Sequence, residues 1–170
     1  TNGGGVEAGL GAAKRAIEKI QEAQVEVGGN SPIANFLRDD ATLAIVTMSD
    51  EDDQSDLADD VLRDYFFSIK GFNRPDRVAV HSIAGPVEEA CQTGNRDAQP
   101  GFRYSRMTRE TGGLFFNICE TKWQTLLRNL GIDVFTPTTE WDLSQAADPG
   151  SITVRVDGIE VPVSSTNGYT

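Results

Sequence analysis

The chain has 170 residues, 38% hydrophobic and 24% charged, which is the composition of a globular protein with a real core. Fifteen basic against 26 acidic residues give a formal net charge of -11, and so negative a sum repels phosphate backbones and anionic lipid. Nucleic acid and membrane surfaces are thereby poor partners, and no apolar run approaches the roughly 18 to 20 residues that cross a bilayer.

Taken in chain order, the first predicted element is a helix over residues 6–25. Val6, Leu10, Ala13, Ile17 and Ile20 recur at helical spacing, with Lys14, Arg15, Glu18 and Lys19 opposite. Gly28-Gly29-Asn30-Ser31-Pro32 ends it. Leu43-Ala44-Ile45-Val46-Thr47-Met48 is continuously apolar, the pattern of a strand covered on both faces in a parallel sheet. Ser49-Asp50-Glu51-Asp52-Asp53-Gln54-Ser55 follows as an acidic loop, and Ser55 or Asp56 is the expected cap of a helix running to about Lys70. A second buried strand spans 77–84, followed by a polar insertion over 87–106 that reads as a long loop. A third strand covers 113–119, and Trp123, Leu126, Leu127 and Leu130 mark a further helix that Gly131 is expected to close. After Pro149 the pattern changes: 152–156, Asp157-Gly158 and 159–161 read as strand, two-residue turn, strand.

Alternation of helices and apolar strands predicts an α/β, Rossmann-like, mostly parallel sheet with helices on both faces, with a C-terminal β-hairpin. The expected division is an α/β domain over 1–148 and the start of a small β module over 149–170. With no initiator Met and a turn-like last triplet, the chain is expected to be cut from a longer protein.

Asp50 stands at the carboxyl end of a predicted strand, where open α/β sheets bind their ligands. Asp50, Glu51, Asp52, Asp53, Asp56, Asp59 and Asp60 offer the oxygen donors that magnesium or calcium prefers. The same acids at a helix N-terminus also complement its dipole with no ligand at all. Ser55 and Val61 stand where an EF-hand needs Gly and Glu, which excludes that loop. An apolar strand followed by Asp50-Glu51-Asp52 is similar to the nucleophile and acid of haloacid-dehalogenase-type phosphotransferases, the alternative enzyme reading; Gln54 departs from that pattern.

Val46-Thr47-Met48-Ser49-Asp50 resembles the apolar-Thr/Ser-Asp strand end of von Willebrand factor A-type domains. Gly3 to Ala13 resembles their Gly-Thr loop and following helix, and Val78 to Gly85 resembles the next strand. Glu110-Thr111-Gly112-Gly113-Leu114-Phe115-Phe116 is similar to their Thr-Gly-Gly-aromatic segment. The likeness covers about residues 3–131 and is closest to secreted or lipoprotein-borne bacterial members. It implies a protein- or surface-ligand-binding module outside the cytoplasm, in which Asp50 contributes to a metal-ion-dependent adhesion site. The family's Asp-x-Ser-x-Ser segment is absent and Gly4 stands where its metal-contacting Thr belongs, so the expected site is incomplete: Asp50 from the resemblance, Asp52 from its position alone. Loss of the strand that carries that segment is expected to leave unpaired backbone groups in the middle of the sheet, beside the 43–48 strand or its neighbour, a gap that an upstream segment or a partner strand must fill.

Cys91 follows the second strand and Cys119 ends the third, so a disulfide between them is expected. It would anchor the polar insertion, contribute about 3 to 4 kcal/mol by chain entropy, and together with the family favour an oxidising compartment. His81, mid-strand, is expected to be a core residue rather than a base, and no hydroxyl nucleophile is linked to it by any motif. Arg96, Arg103, Arg106 and Arg109 with Tyr104 form a locally basic stretch expected to be solvated, to pair with the Asp50 loop or to meet an acidic partner.

Overall fold

Two apolar strands that pair in parallel set the frame of the first unit. The computed structural model describes residues 7–26, 33, 35–88, 91–93, 96–135, 145–156 and 158–164, and the chain divides into compact units Thr1–Phe135 and Thr136–Thr170. The first unit runs α1 (Gly9–Glu26), β1 (Leu43–Met48), α2 (Asp59–Lys70), β2 (Val78–Ala84), β3 (Cys91–Thr93), β4 (Arg96–Ala98), α3 (Phe102–Glu110), β5 (Phe115–Asn117) and α4 (Trp123–Phe135). It is an α/β unit with a three-stranded parallel sheet in the order β1-β2-β5; β3 and β4 form a separate antiparallel pair.

Side chains alternate across the sheet. Leu43 and Ile45 of β1 stand opposite Val78 and Val80 of β2 and pack against Leu10 and Ile17 of α1, Leu62 and Phe66 of α2, and Tyr104 and Met107 of α3. Leu10, Leu62, Phe66 and Met107 are fully buried, each stabilising the fold by about 1.5 to 3 kcal/mol relative to exposure. Thr47 Oγ1 and Thr108 Oγ1 both bond Ser82 Oγ, at 2.9 and 2.8 Å, so the polar side chains on this face satisfy one another. On the opposite face α4 covers β2 and β5 through Ile83, Phe116, Leu126 and Leu130. That cover stops short of β1, whose Val46 and Met48 remain 48% and 62% exposed. Among the described residues β1 pairs on one side only.

The Thr111-Gly112-Gly113 turn joins α3 to β5. Thr111 Oγ1 accepts the Val80 N–H at 2.9 Å and donates to the Met107 carbonyl. A Cβ on Gly113 would lie 2.1 Å from the Val80 carbonyl oxygen, so only glycine lets the turn approach β2 this closely.

Three expectations are corrected. The helix placed after Ser55 or Asp56 begins at Asp59, with Ala58 as an N-cap that makes no side-chain hydrogen bond. The reason is tertiary: the Ser55 hydroxyl is committed to α1, as described below. The insertion over 87–106 is not a plain loop, because it holds the β3–β4 pair and the start of α3. Gly131 does not end α4, which continues to Phe135; Val134 packs against the Leu126–Leu130 cluster and holds the extra turn.

In the second unit a short 3-10 turn, Pro149–Ser151, precedes the antiparallel pair β6 (Val154–Val156) and β7 (Ile159–Val161). Gly158 in the connecting turn has φ +81°, the left-handed conformation that such two-residue turns demand.

Candidate functional site

The carboxyl end of β1 runs into the acidic loop, and the loop's first task is to cap α1. The first N–H groups of a helix have no partner within it. Here the Gly9 N–H donates to the Tyr104 hydroxyl at 3.1 Å, the Leu10 N–H to Asp53 Oδ1 at 2.9 Å and the Gly11 N–H to Ser55 Oγ at 2.8 Å. The Gln54 N–H donates to the Glu7 carbonyl at 2.7 Å, and the Ser49 hydroxyl donates to the Glu7 carboxylate. Loop and helix start are thus stitched together from both sides. Burial raises the Tyr104 pKa, which keeps its hydroxyl protonated.

Asp53 is 3% exposed and is the buried charge of the loop. Besides Leu10 it accepts the Ser55 N–H at 3.1 Å and the Ser55 hydroxyl at 3.0 Å, and its Oδ2 lies 3.0 Å from Arg103 Nη1. Arg103 reaches back from α3 into the loop as an internal cation. Its guanidinium bonds Asp59 at 2.6 Å, the Asp53 and Ser55 carbonyls at 3.1 and 2.7 Å, and the Leu57 carbonyl. A planar fork with five donors suits so many acceptors at once. Arg106 adds a longer pair to Asp59 at 3.6 Å and bonds Glu110 at 2.9 Å, which Arg63 also meets at 3.0 Å.

Asp52 serves a second helix. Its Oδ1 accepts the Arg103 N–H at 2.9 Å, capping the first turn of α3, and the Asp53 N–H at 3.0 Å. Asp50 differs from its neighbours. Its carbonyl accepts the Gln99 N–H at 2.8 Å, but its side chain is exposed and its carboxylate has no hydrogen-bond or ion-pair partner among the described residues. The two carboxylates singled out from the sequence therefore share a loop with unlike occupations.

The oxygen donors of the loop are already largely occupied. Asp50 offers one open carboxylate, Asp52 Oδ1 already accepts two N–H groups, and the middle of the acidic cluster holds a guanidinium. Among the described residues no group of three or more His, Cys, Asp or Glu side chains is arranged to hold an ion. Gly4 lies outside the described residues.

Cys91 and Cys119 are bonded, with an S–S distance of 2.10 Å and a Cα–Cα distance of 6.2 Å, tying the start of β3 to the segment just after β5. The Cys119 N–H also donates to Asn117 Oδ1 at 2.8 Å. His81 is 1% exposed in mid-β2. Its Nδ1 accepts the Leu114 N–H at 3.2 Å and lies 3.5 Å from Asp133 Oδ2. An Nδ1 that accepts a hydrogen bond carries no proton, and burial lowers the His81 pKa against the opposing pull of Asp133. We therefore describe it as a neutral core imidazole rather than half of an ion pair. Of the basic stretch, Arg103 and Arg106 join the acidic loop, Tyr104 is core and Arg109 is exposed; the Arg96 side chain lies outside the described residues.

Asp53, Ser55, Asp59 and Arg103 are the residues that organise this end of the sheet; the sequence reading took Ser55 only as a cap of the helix to Lys70 and did not separate the other three from the remaining charges. Asp53-Gln54-Ser55 carries two N-cap residue types, the one local signal available. Among the described residues no helix is long and apolar enough to cross a membrane. Comparison with known protein families, curated proteins and solved structures found no match in any of the three.

Proposed function

We propose that this chain is the C-terminal part of a von Willebrand A-type domain that binds a protein or surface ligand outside the cytoplasm and catalyses no reaction. The observation that carries the reading is the contrast within one loop. Asp52, Asp53 and Ser55 are committed to capping helices, while the Asp50 carboxylate is displayed alone on the rigid frame they make. It stands where parallel α/β sheets present ligands. The Cys91–Cys119 bond supports an oxidising compartment.

Retention of the full-length protein on cell-envelope preparations tests this reading. Asp50→Lys is expected to weaken retention by about tenfold or more with the melting temperature unchanged. Equal retention of wild type and variant contradicts it. Asp50-dependent hydrolysis of p-nitrophenyl phosphate with magnesium would favour the phosphotransferase alternative instead.

For the chain alone, calcium or magnesium binding is expected to be weak or nil, because the Asp50 site has too few donors. Micromolar or tighter Asp50-dependent affinity by calorimetry contradicts that. The β1 edge, unpaired among the described residues and with Val46 and Met48 exposed beside it, supports the addition of a strand by an upstream segment or a partner chain. Residues 1–170 alone are then expected to melt broadly, and a sharp cooperative melt as a monomer counts against the added strand.

A further inference from the structure

The amino end of β1 holds a feature that plays no part in the reading above. Lys70, the last residue of α2, is 4% exposed, and its Nζ donates to the Arg38 carbonyl. An ammonium has three N–H donors; that carbonyl takes one, and no carboxylate lies within ion-pair distance of it among the described residues. The C-terminal end of the α2 dipole favours a cation there, but a buried charge without a counter-ion remains costly. Desolvation accordingly lowers the Lys70 pKa; Asp39 and Asp40 oppose this, while Arg74 and Arg77 add to it.

Lys70 lines a 420 Å³ cavity together with Phe36, Leu37, Thr42, Leu43 and Ala44. That volume lies within the usual range for small-molecule sites, about 300 to 1,000 Å³. The lining is mostly hydrocarbon, with one buried cation, Lys70, and the exposed Arg38 and Asn35 beside it. We propose that this cavity binds a small monocarboxylate with an apolar body, an aliphatic or aromatic acid, with Lys70 as its counter-ion. A carboxylate would accept the two remaining N–H groups and neutralise the charge, while its body covers Phe36, Leu37 and Leu43. Inorganic phosphate has no use for the apolar wall. Cationic ligands are repelled by Lys70, Arg74 and Arg77.

The test is a calorimetric titration of the full-length protein with hexanoate and benzoate, using hexanol and inorganic phosphate as controls. Saturable carboxylate binding is expected with Kd on the order of 1 mM or tighter, and with hexanol and phosphate at least about tenfold weaker. Lys70→Met, which keeps the stem, should weaken hexanoate by about tenfold or more; Lys70→Arg should retain most of it. Hexanoate binding should also fade as pH rises and Lys70 loses its proton, whereas hexanol binding should not change. A residue that merely ties the Arg38 carbonyl to α2 would lower the melting temperature on substitution without any of these ligand effects. If Lys70→Met does not fold, the hexanoate-to-hexanol contrast and its pH dependence still decide. Absence of saturable carboxylate binding, equal binding of hexanol or phosphate, or a folded Lys70→Met that binds hexanoate like wild type would each overturn the proposal.

Discussion

The two ends of β1 handle charge in opposite ways. At the carboxyl end Asp52 and Asp53 meet helix N–H groups, and a guanidinium fills the space between Asp53 and Asp59. At the amino end a single ammonium, Lys70, is buried against one carbonyl, with Asp39, Asp40, Arg74 and Arg77 nearby. The first arrangement is closed: each buried carboxylate has partners that came with the fold. The second is open: among the described residues no carboxylate pairs with the ammonium. Seven acids in a row of eleven residues thus say less about ligands than one buried lysine that meets no carboxylate among the described residues.

If the carboxyl end is closed in this sense, breaking it should cost the most. Asp53→Ala removes one of the two carboxylates that meet Arg103, which keeps Asp59, and leaves the buried Leu10 N–H and the part-buried Ser55 N–H without acceptors; the loss is expected to cost about 3 to 5 kcal/mol. In a thermal melt that is a fall on the order of 10 °C. Asp53→Asn, which keeps an acceptor, should lose clearly less. An Asp53→Ala variant that melts with wild type would mean that Arg103 and the α1 caps are surface decoration.

The Cys91–Cys119 link belongs to the same end of the sheet but acts through the unfolded chain. Replacing both cysteines by serine, or reducing the bond, is expected to cost about 3 to 4 kcal/mol by loop entropy. Urea midpoints with and without reductant measure it. No change on reduction would indicate that the bond does not form in solution.

Between the two ends lies His81, whose charge state is set by the core. Its folded pKa is depressed below the unfolded value of about 6.5. The native state therefore binds fewer protons than the unfolded state just below that pH. His81 stability is fully present above about pH 6.5 and is lost as pH falls toward the folded pKa, at no more than about 1.4 kcal/mol per pH unit. His81→Gln offers an acceptor to Leu114 without titrating and should flatten that part of the stability profile. An unchanged slope would assign it to the carboxylates instead.

The parts of the fold that rest on local pattern were legible in the sequence. The apolar run 43–48 and the alternation of strands and helices place β1, β2 and α1, and Asp157-Gly158 places the β6–β7 turn. What escaped depends on partners far along the chain. The α3 helix starts after Pro100-Gly101 with no cap of its own, because Asp52, 51 positions earlier, supplies it. Ser55 looks like the cap of α2, but its hydroxyl accepts from Gly11, 44 positions away. Only Tyr104, Met107 and Thr108, at helical spacing, hint at the buried face of α3. The open position of Asp50 was equally hidden, since nothing local distinguishes it from Asp52 or Asp53.

That last distinction gives the smallest expected effect and the sharpest comparison. Asp50, Asp52 and Asp53 occupy one loop, so substitutions at the three share a background and differ only in what each carboxylate touches. Asp53 holds a buried cation and two N–H groups, and Asp52 caps α3 from a half-buried position. Asp52→Ala should therefore cost about 1 kcal/mol, the usual value of a lost cap. The Asp50 carboxylate is exposed, and its structural contribution runs through a backbone carbonyl that any residue supplies to Gln99. Asp50→Ala should then lie within about 0.5 kcal/mol of wild type, as for surface positions generally. It relieves some repulsion from Glu51 and Asp52, so a slight gain is as acceptable as a slight loss. Chemical denaturation of the three alanine variants side by side should rank them Asp53, Asp52, Asp50. A cost at Asp50 equal to that at Asp52 would show that its carboxylate holds the fold, and would remove the ground for reading it as the group the loop displays to a ligand.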